Sequence, residues 1–344
     1  MLWFWIGFFA LVALLLFLDL GVIHRRAREM SLRAAVGWTA AWVALGLAFT
    51  GVVYVMYQYN LAGAHLHSFS KHPGGTDAAI TYVSAYLLEQ ALSVDNIFVM
   101  SLVFHNFRTP AKYQHRVLFW GILGAIGFRV TMLGGGAWIA ARFAWVFYIF
   151  GGYLAWQGIK LLKGEDEEEE EDPASKSAIV RVVRRFVRVV DGDHGGKFSV
   201  RIDGRRALTT VAMCLIVIEL LDIVFAMDSI PAVLSVSQDT FIMITSNIFA
   251  IMGLRSLYFV LAGAMAKFKY LKLALGVLLV AIGAKMIGHA AGWFHVPHLY
   301  SLLFIAGIIA VGVLASVIAT RRAEHAEPHD NAPDSSDGGG DSGE

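Results

Sequence analysis

The chain has 344 residues, of which 57% are apolar and 16% charged, against about 25% charged in a typical soluble protein. That balance excludes a water-soluble globule. Apolar runs of about twenty residues, long enough to cross a hydrocarbon core about 30 Å thick, point to an all-α, polytopic helical membrane protein. The formal net charge of +1 comes from 28 basic and 27 acidic residues that are separated by region, and the single cysteine, Cys214, excludes an internal disulfide and a multi-thiolate metal cluster.

Nine spans are expected, at 2–23, 34–57, 77–104, 117–139, 143–162, 208–235, 241–264, 271–288 and 299–319. Basic residues gather in alternate connections: Arg25, Arg26, Arg28 and Arg33; Arg108, Lys112 and Arg116; Lys267, Lys269 and Lys272. The intervening segments hold Lys71 alone (58–76), Arg142 alone (140–142) or no Lys or Arg at all (236–240 and 289–298). The positive-inside rule then puts the N-terminus outside and the C-terminus, after Arg321 and Arg322, in the cytoplasm, as for a bacterial inner-membrane protein. The first span has neither a basic leader nor a small-residue cleavage site, so it reads as a retained helix, and Asp19 near its cytoplasmic end is given no role.

The expected organisation is two N-terminal spans (1–57), a first three-span unit (77–162), a cytoplasmic charged linker (163–207), a second three-span unit (208–288), a last span (299–319) and a disordered cytoplasmic tail (320–344) rich in Ser, Gly and Asp. Within the linker, the acidic run Glu165 to Asp172 precedes Arg181, Arg184, Arg185 and Arg188, which alternate with Val and Phe as in an amphipathic helix on anionic lipid.

The two units repeat one another. Glu89-x-x-x-x-x-Asp95-Asn96-Ile97 aligns with Asp222-x-x-x-x-x-Asp228-Ser229-Ile230, Gly127-Phe128-Arg129 with Gly253-Leu254-Arg255, and Gly158-Ile159-Lys160 with Gly283-Ala284-Lys285. The expected topology threads the units in opposite senses, making them inverted repeats, and transporters of that design bind substrate near the midplane between the repeats.

Five acids fall within the spans, Glu89, Asp95, Glu219, Asp222 and Asp228, against two arginines, Arg129 and Arg255. Each charge at the bilayer centre costs about 2.5–3.5 kcal/mol on the lenient insertion scale, so bare carboxylates facing lipid are untenable. With Arg129 and Arg255 as structural counter-ions, one acid each, three acids are left for a divalent cation, protons, or both. Helical spacing sets Glu89, Ser93 and Asn96 on one face, and Asp222 and Ser229 on another with Glu219 a turn earlier. Asp95 and Asp228 point about 120° away from Glu89 and Asp222 on a straight helix, so either the helices unwind locally or each acid serves a second neighbour. Pro231 either frees the Met227 carbonyl as a ligand or only kinks the helix.

The expected metal-ligating set is Glu89, Asp95, Asn96, Glu219, Asp222, Asp228 and Ser229, whose oxygens suit Mn²⁺, Mg²⁺ or Ca²⁺ better than Zn²⁺ or Cu⁺. A Met227 thioether would favour Mn²⁺, although methionine in an apolar helix is more often packing. Asn247 is either a further oxygen ligand or an interhelical hydrogen bond. Lys160 and Lys285 are expected to snorkel at span ends, and Gly134, Gly135, Gly136, Gly151 and Gly152 to let helices approach closely.

These residues carry a family resemblance. The segments Glu89-Gln90-Ala91-Leu92-Ser93-Val94-Asp95-Asn96-Ile97-Phe98-Val99 and Glu219-Leu220-Leu221-Asp222-Ile223-Val224-Phe225-Ala226-Met227-Asp228-Ser229-Ile230-Pro231-Ala232 resemble the two signatures of the TerC family, and Thr245 to Phe259 with Lys269-Tyr270-Leu271-Lys272-Leu273 extend the likeness over about residues 1–320. Leu221 and Thr240 depart from the family's usual threonine and proline. The resemblance implies a Mn²⁺-exporter-like member of the LysE-type transporters, with Glu89, Asp95, Asn96, Asp222, Asp228 and Glu219 along the ion path. The family was named for tellurium resistance, but surplus carboxylates repel the tellurite oxyanion, so any such resistance would be indirect.

The expected function is therefore a secondary transporter exporting a divalent cation, Mn²⁺ first, in exchange for protons, with the metal as substrate, no resident cofactor, no enzymatic activity and no nucleic-acid partner. Two other classes compete: a membrane scaffold or insertion partner docking through 163–207, and an intramembrane aspartyl protease using Asp95 and Asp228, whose Gly-x-Gly-Asp context is absent. A membrane zinc protease would need His-Glu-x-x-His, which is also absent.

Overall fold

A computed structural model describes residues 2–18, 32–61, 74–107, 109–143, 145–163, 189–190, 192, 195–202, 205–261, 269–293 and 296–326. Asp19, the charged stretch 165–188 and the tail from 327 onward lie outside the described residues, as does the side chain of Asp95. The described helices are α1 (Leu2–Leu18), α2 (Leu32–Gln58), α3 (Gly75–Asn106), α4 (Ala111–Arg142), α5 (Val146–Lys163), α6 (Thr210–Val236), α7 (Thr240–Met252), α8 (Leu254–Leu261), α9 (Lys269–Ala290) and α10 (His298–Ala326).

Every expected apolar segment falls on a helix, and the seventh falls on two: α7 and α8 meet at Gly253 with a bend of 43°. Among the described residues, five stretches are long and apolar enough by themselves to cross a membrane: Arg33–Gln58, Tyr113–Arg142, Thr210–Val236, Leu273–Ala290 and His298–Ser316. The bent pair makes a sixth if it counts as one span. This is a helical membrane protein. Large apolar side chains such as Val224 and Met227 on α6, and Leu303, Val311 and Leu314 on α10, stand exposed on its outside, the surface that a lipid solvent asks for.

Local signals set several boundaries. Thr209 caps α6, its Oγ1 accepting from the Ala212 amide at 3.3 Å, and Asp239 caps α7, its Oδ1 accepting from the amides of Phe241 and Ile242 at 2.9 and 3.3 Å. The second carboxylate oxygen of Asp239 accepts a hydrogen bond from the Tyr57 hydroxyl, which ties the end of α2 to the start of α7. Helix α6 runs unbroken through Pro231.

The helices equated by the sequence repeat pack on one another. α3 meets α6, α4 meets α7, and α5 meets α9; in addition α6 lies along α4 while its counterpart α3 lies along α7. Between α5 and α9 the contact is glycine against glycine. A Cβ on Gly158 would lie 2.6 Å from the Gly276 carbonyl oxygen, and one on Gly151 would lie 2.9 Å from that of Gly283. Since Gly158 aligns with Gly283, the same offset aligns Gly151 with Gly276, so under the sequence alignment each glycine pair maps onto the other. A Cβ on Gly136 would lie 2.9 Å from the Ile230 side chain, whereas one on Gly134, Gly135 or Gly152 would meet nothing within 4 Å among the described residues, contrary to the sequence expectation.

The end of the linker differs from the expected solvated chain. β1 (Val189–Val190) pairs parallel with β3 (Arg205–Thr209), and β2 (Ser199–Ile202) pairs with β3 antiparallel, in the order β1-β3-β2. This small sheet sits against the start of α4. Arg116 donates to the Gly196 carbonyl at 3.1 Å and lays its guanidinium 4.9 Å over the Phe198 ring. Gly196, at φ +69°, presses on the Tyr113 ring, where a Cβ would come within 2.6 Å.

Candidate functional site

Three helices deliver the central charges. α3 brings Glu89, α4 brings Arg129 and α6 brings Asp222, and their exposures of 0, 1 and 3% remove all three from solvent and lipid alike. Arg129 forks between both acids. Nη2 donates to Asp222 Oδ1 at 3.0 Å and Nε to Asp222 Oδ2 at 3.4 Å, while Nη1 donates to Glu89 Oε1. Nη1 also reaches Asn247 Oδ1 on α7 at 3.4 Å, so Asn247 makes an interhelical hydrogen bond here. Planar, five-donor arginine suits this arrangement, which a lysine point charge could not reproduce.

The expectation of one acid per arginine is corrected for Arg129, which takes two, Glu89 of the first unit and Asp222 of the second. Arg255, buried at the start of α8 just past the bend, is the counterpart position. Ser229 lies beside Glu89, as a residue one face-repeat beyond Asp222 should.

Among the described residues, Glu89 Oε2 in the triad and Nδ2 of Asn247 beside it lack hydrogen-bond partners, as do Ser93 Oγ and Asn96 Nδ2 one and two turns along α3 from Glu89. A buried polar atom left without a partner costs about 1–3 kcal/mol, so a group of them marks a place built for something polar. Glu89, Ser93 and Asn96 share one face of α3, as their spacing requires, and all three are buried.

Asp228 and Glu219 make their own contacts beside this centre. Asp228 is half-buried, and α6 stays helical around it, so of the two options the second holds: Asp228 serves another helix, accepting from Gln157 Nε2 of α5 at 3.1 Å. Gln157 in turn donates to the Tyr153 hydroxyl at 3.2 Å. Neither residue stood out in the sequence, although a glutamine inside an otherwise apolar span was an available signal. Met227 points outward, 59% exposed, and so is no ligand partner to Asp228. Glu219, half-buried, lays its carboxylate on Gly124 of α4, so closely that any Cβ there would overlap it. Asp95 is helical in α3, and its side chain lies outside the described residues.

Among the described residues no three His, Cys, Asp or Glu side chains converge as a metal cluster. The two carboxylates that do converge share a guanidinium. Lys285 donates to Ser301 of α10 at 2.8 Å rather than simply snorkelling, and Cys214 is a buried free thiol.

Comparison with known proteins agrees with this architecture. An uncharacterised membrane protein of Myxococcus xanthus is 42% identical over 319 residues, covering 93% of each chain. Alx of Escherichia coli (strain K12), which bears the description of a proposed membrane-bound redox modulator, is 38% identical over 308 residues, 89% of this chain and 92% of that one. A membrane protein of Rickettsia felis is 35% identical over 93% of this chain and 99% of its own. No solved structure matches. The profile of the TerC family of integral membrane proteins matches residues 74–324, and with these relatives it establishes that the chain belongs to the TerC family.

Proposed function

We propose that this protein is a secondary transporter that exports a hard divalent cation, Mn²⁺ first, through the buried site between its two repeats, with the N-terminus outside and the C-terminus in the cytoplasm. The observation that carries the reading is the convergence of equated acids, Glu89 and Asp222, on one buried point, with unpartnered polar atoms on Glu89 and on Asn247 beside it, and on Ser93 and Asn96 further along the same face of α3. Oxygen donors of this kind favour a partly hydrated hard cation held by one or two carboxylates over a closed thiolate or imidazole cage. Protons compete for the same carboxylates and supply the exchange partner. Reciprocal packing of the equated helices supports two units that rock against one another in opposite senses.

The word redox in the relatives' description finds little to work with here. The one cysteine is buried and has no second thiol with which to exchange.

Purified protein in liposomes is expected to move Mn²⁺ down its gradient, with Glu89→Ala and Asp222→Ala each lowering the flux by about a hundredfold, the upper end of what the loss of even an outer-shell partner of a metal ligand brings. Undiminished flux in both variants would refute the proposal. Gly124→Ala separates Glu219 from the rest: only the end of a flexible side chain must move, so stability should change by less than about 1 kcal/mol. The apparent KM for Mn²⁺ should rise, because Glu219 loses its seat on α4. An unchanged KM would take Glu219 off the ion path.

A further inference from the structure

The Arg129 guanidinium occupies the place where a dication bridging the two repeats would have to sit. Asp222 gives both of its oxygens to Arg129, and Glu89 gives one. Of these four carboxylate oxygens, Glu89 Oε2 is the one without a partner among the described residues, so it is where an arriving ion can first bind. To take the other three oxygens the ion must turn the guanidinium away. A neutral acceptor already stands beside it, since Nη1 reaches Asn247 Oδ1 at 3.4 Å.

We propose that Arg129 is a resident stand-in for the transported cation: it holds Glu89 and Asp222 together while no ion is bound, yields them on loading and reclaims them on release. The inference rests on the transport reading above and adds how the empty carrier returns. Charge decides the matter. Two carboxylates and one guanidinium sum to −1, which a single returning proton neutralises, whereas without the guanidinium the metal-free site would carry −2 inside a water-excluded core and need two protons to return neutral. With a dication bound, two carboxylates alone sum to zero. Removing Arg129 should therefore burden the empty return step and spare the loaded one.

The two steps can be measured apart. Net Mn²⁺ efflux from liposomes needs both, while exchange of labelled for unlabelled Mn²⁺ needs only the loaded step. In R129Q, net efflux is expected to fall about tenfold or more while exchange stays within about threefold of the unaltered protein, with tighter apparent Mn²⁺ binding. R129K keeps the charge but cannot fork across both acids, and it carries the test if R129Q does not fold: it should bind Mn²⁺ more tightly and retain net efflux.

Parallel loss of both modes in folded R129Q, or unchanged affinity in R129K with both fluxes falling together, would overturn the role given to Arg129 and leave the transport reading standing. Unaltered protein that moves Mn²⁺ in neither mode would instead defeat the transport reading itself.

Discussion

Replacing Arg129 by methionine is expected to lower the stability of the detergent-solubilised protein by about 3–5 kcal/mol, the cost of leaving buried charges without their partner. Methionine fills comparable volume, so the loss reports electrostatics rather than a cavity. Glu89 and Asp222 are then left in a site with 0 and 3% exposure, where water cannot take over the role of the guanidinium. The triple variant R129M/E89Q/D222N removes all three charges and should recover most of the loss, because replacing an entire buried ion triad is often neutral or stabilising. Reversible unfolding in mixed micelles measures both. If R129M unfolds at the same denaturant level as the unaltered protein, or if the triple variant is no more stable than the single one, the three side chains do not form an energetically coupled unit. A penalty of this size against a total stability of about 5–15 kcal/mol leaves a folded but marginal protein.

Much of this was legible in the sequence, and the reason differs from one feature to the next. Helices were read from composition, because a bilayer offers no water to unpaired backbone groups and forces long apolar runs into helices. Glu89 and Asp222 could be paired because acids this costly in hydrocarbon recur at matching places in the two units. What stayed hidden was rotation. In a soluble helix the polar face marks the outside, but lipid is as apolar as a protein core, so the sequence of α6 does not say that Met227 faces outward while Ser229 faces inward.

The same gap concealed which arginine meets which acid. Spacing along one helix places Asp222 and Asp228 about 120° apart, yet only the packing of α4 and α5 shows that the first reaches Arg129 and the second Gln157. Gly124 against Glu219 is a contact between helices, and no pattern within either one announces it. The cap at Asp239 was readable, as an acid before the apolar run of α7, but its bond to Tyr57 joins residues 182 positions apart. The hairpin of β2 and β3 also had a local signal: Asp203-Gly204, a favoured two-residue turn pair that itself lies outside the described residues, stands between the strands.

The seam between α5 and α9 gives the second large effect. Gly158→Ala puts a methyl group 2.6 Å from the Gly276 carbonyl oxygen and 2.8 Å from the Val280 amide nitrogen, and Gly283→Ala puts one 2.5 Å from the Gly151 carbonyl oxygen and 2.8 Å from the Ala155 amide nitrogen. Backbone atoms cannot rotate aside as a side chain can, so the helices must part, and in a membrane such close packing is itself a main source of helix association. Each substitution should cost about 1–3 kcal/mol or more by overpacking. Gly152→Ala is the control one residue from Gly151: its Cβ meets nothing within 4 Å, and the helix loses a flexible residue, so its melting temperature should hold or rise. Because Gly151 and Gly283 share one crossing, the double variant G151A/G283A should lose less than the sum of its parts, since separation forced by the first methyl group makes room for the second. If G158A melts with G152A, or if G151A and G283A add in full, the two helices do not meet backbone to backbone at these glycines, and the reciprocal crossing that relates the two units loses its closest contacts.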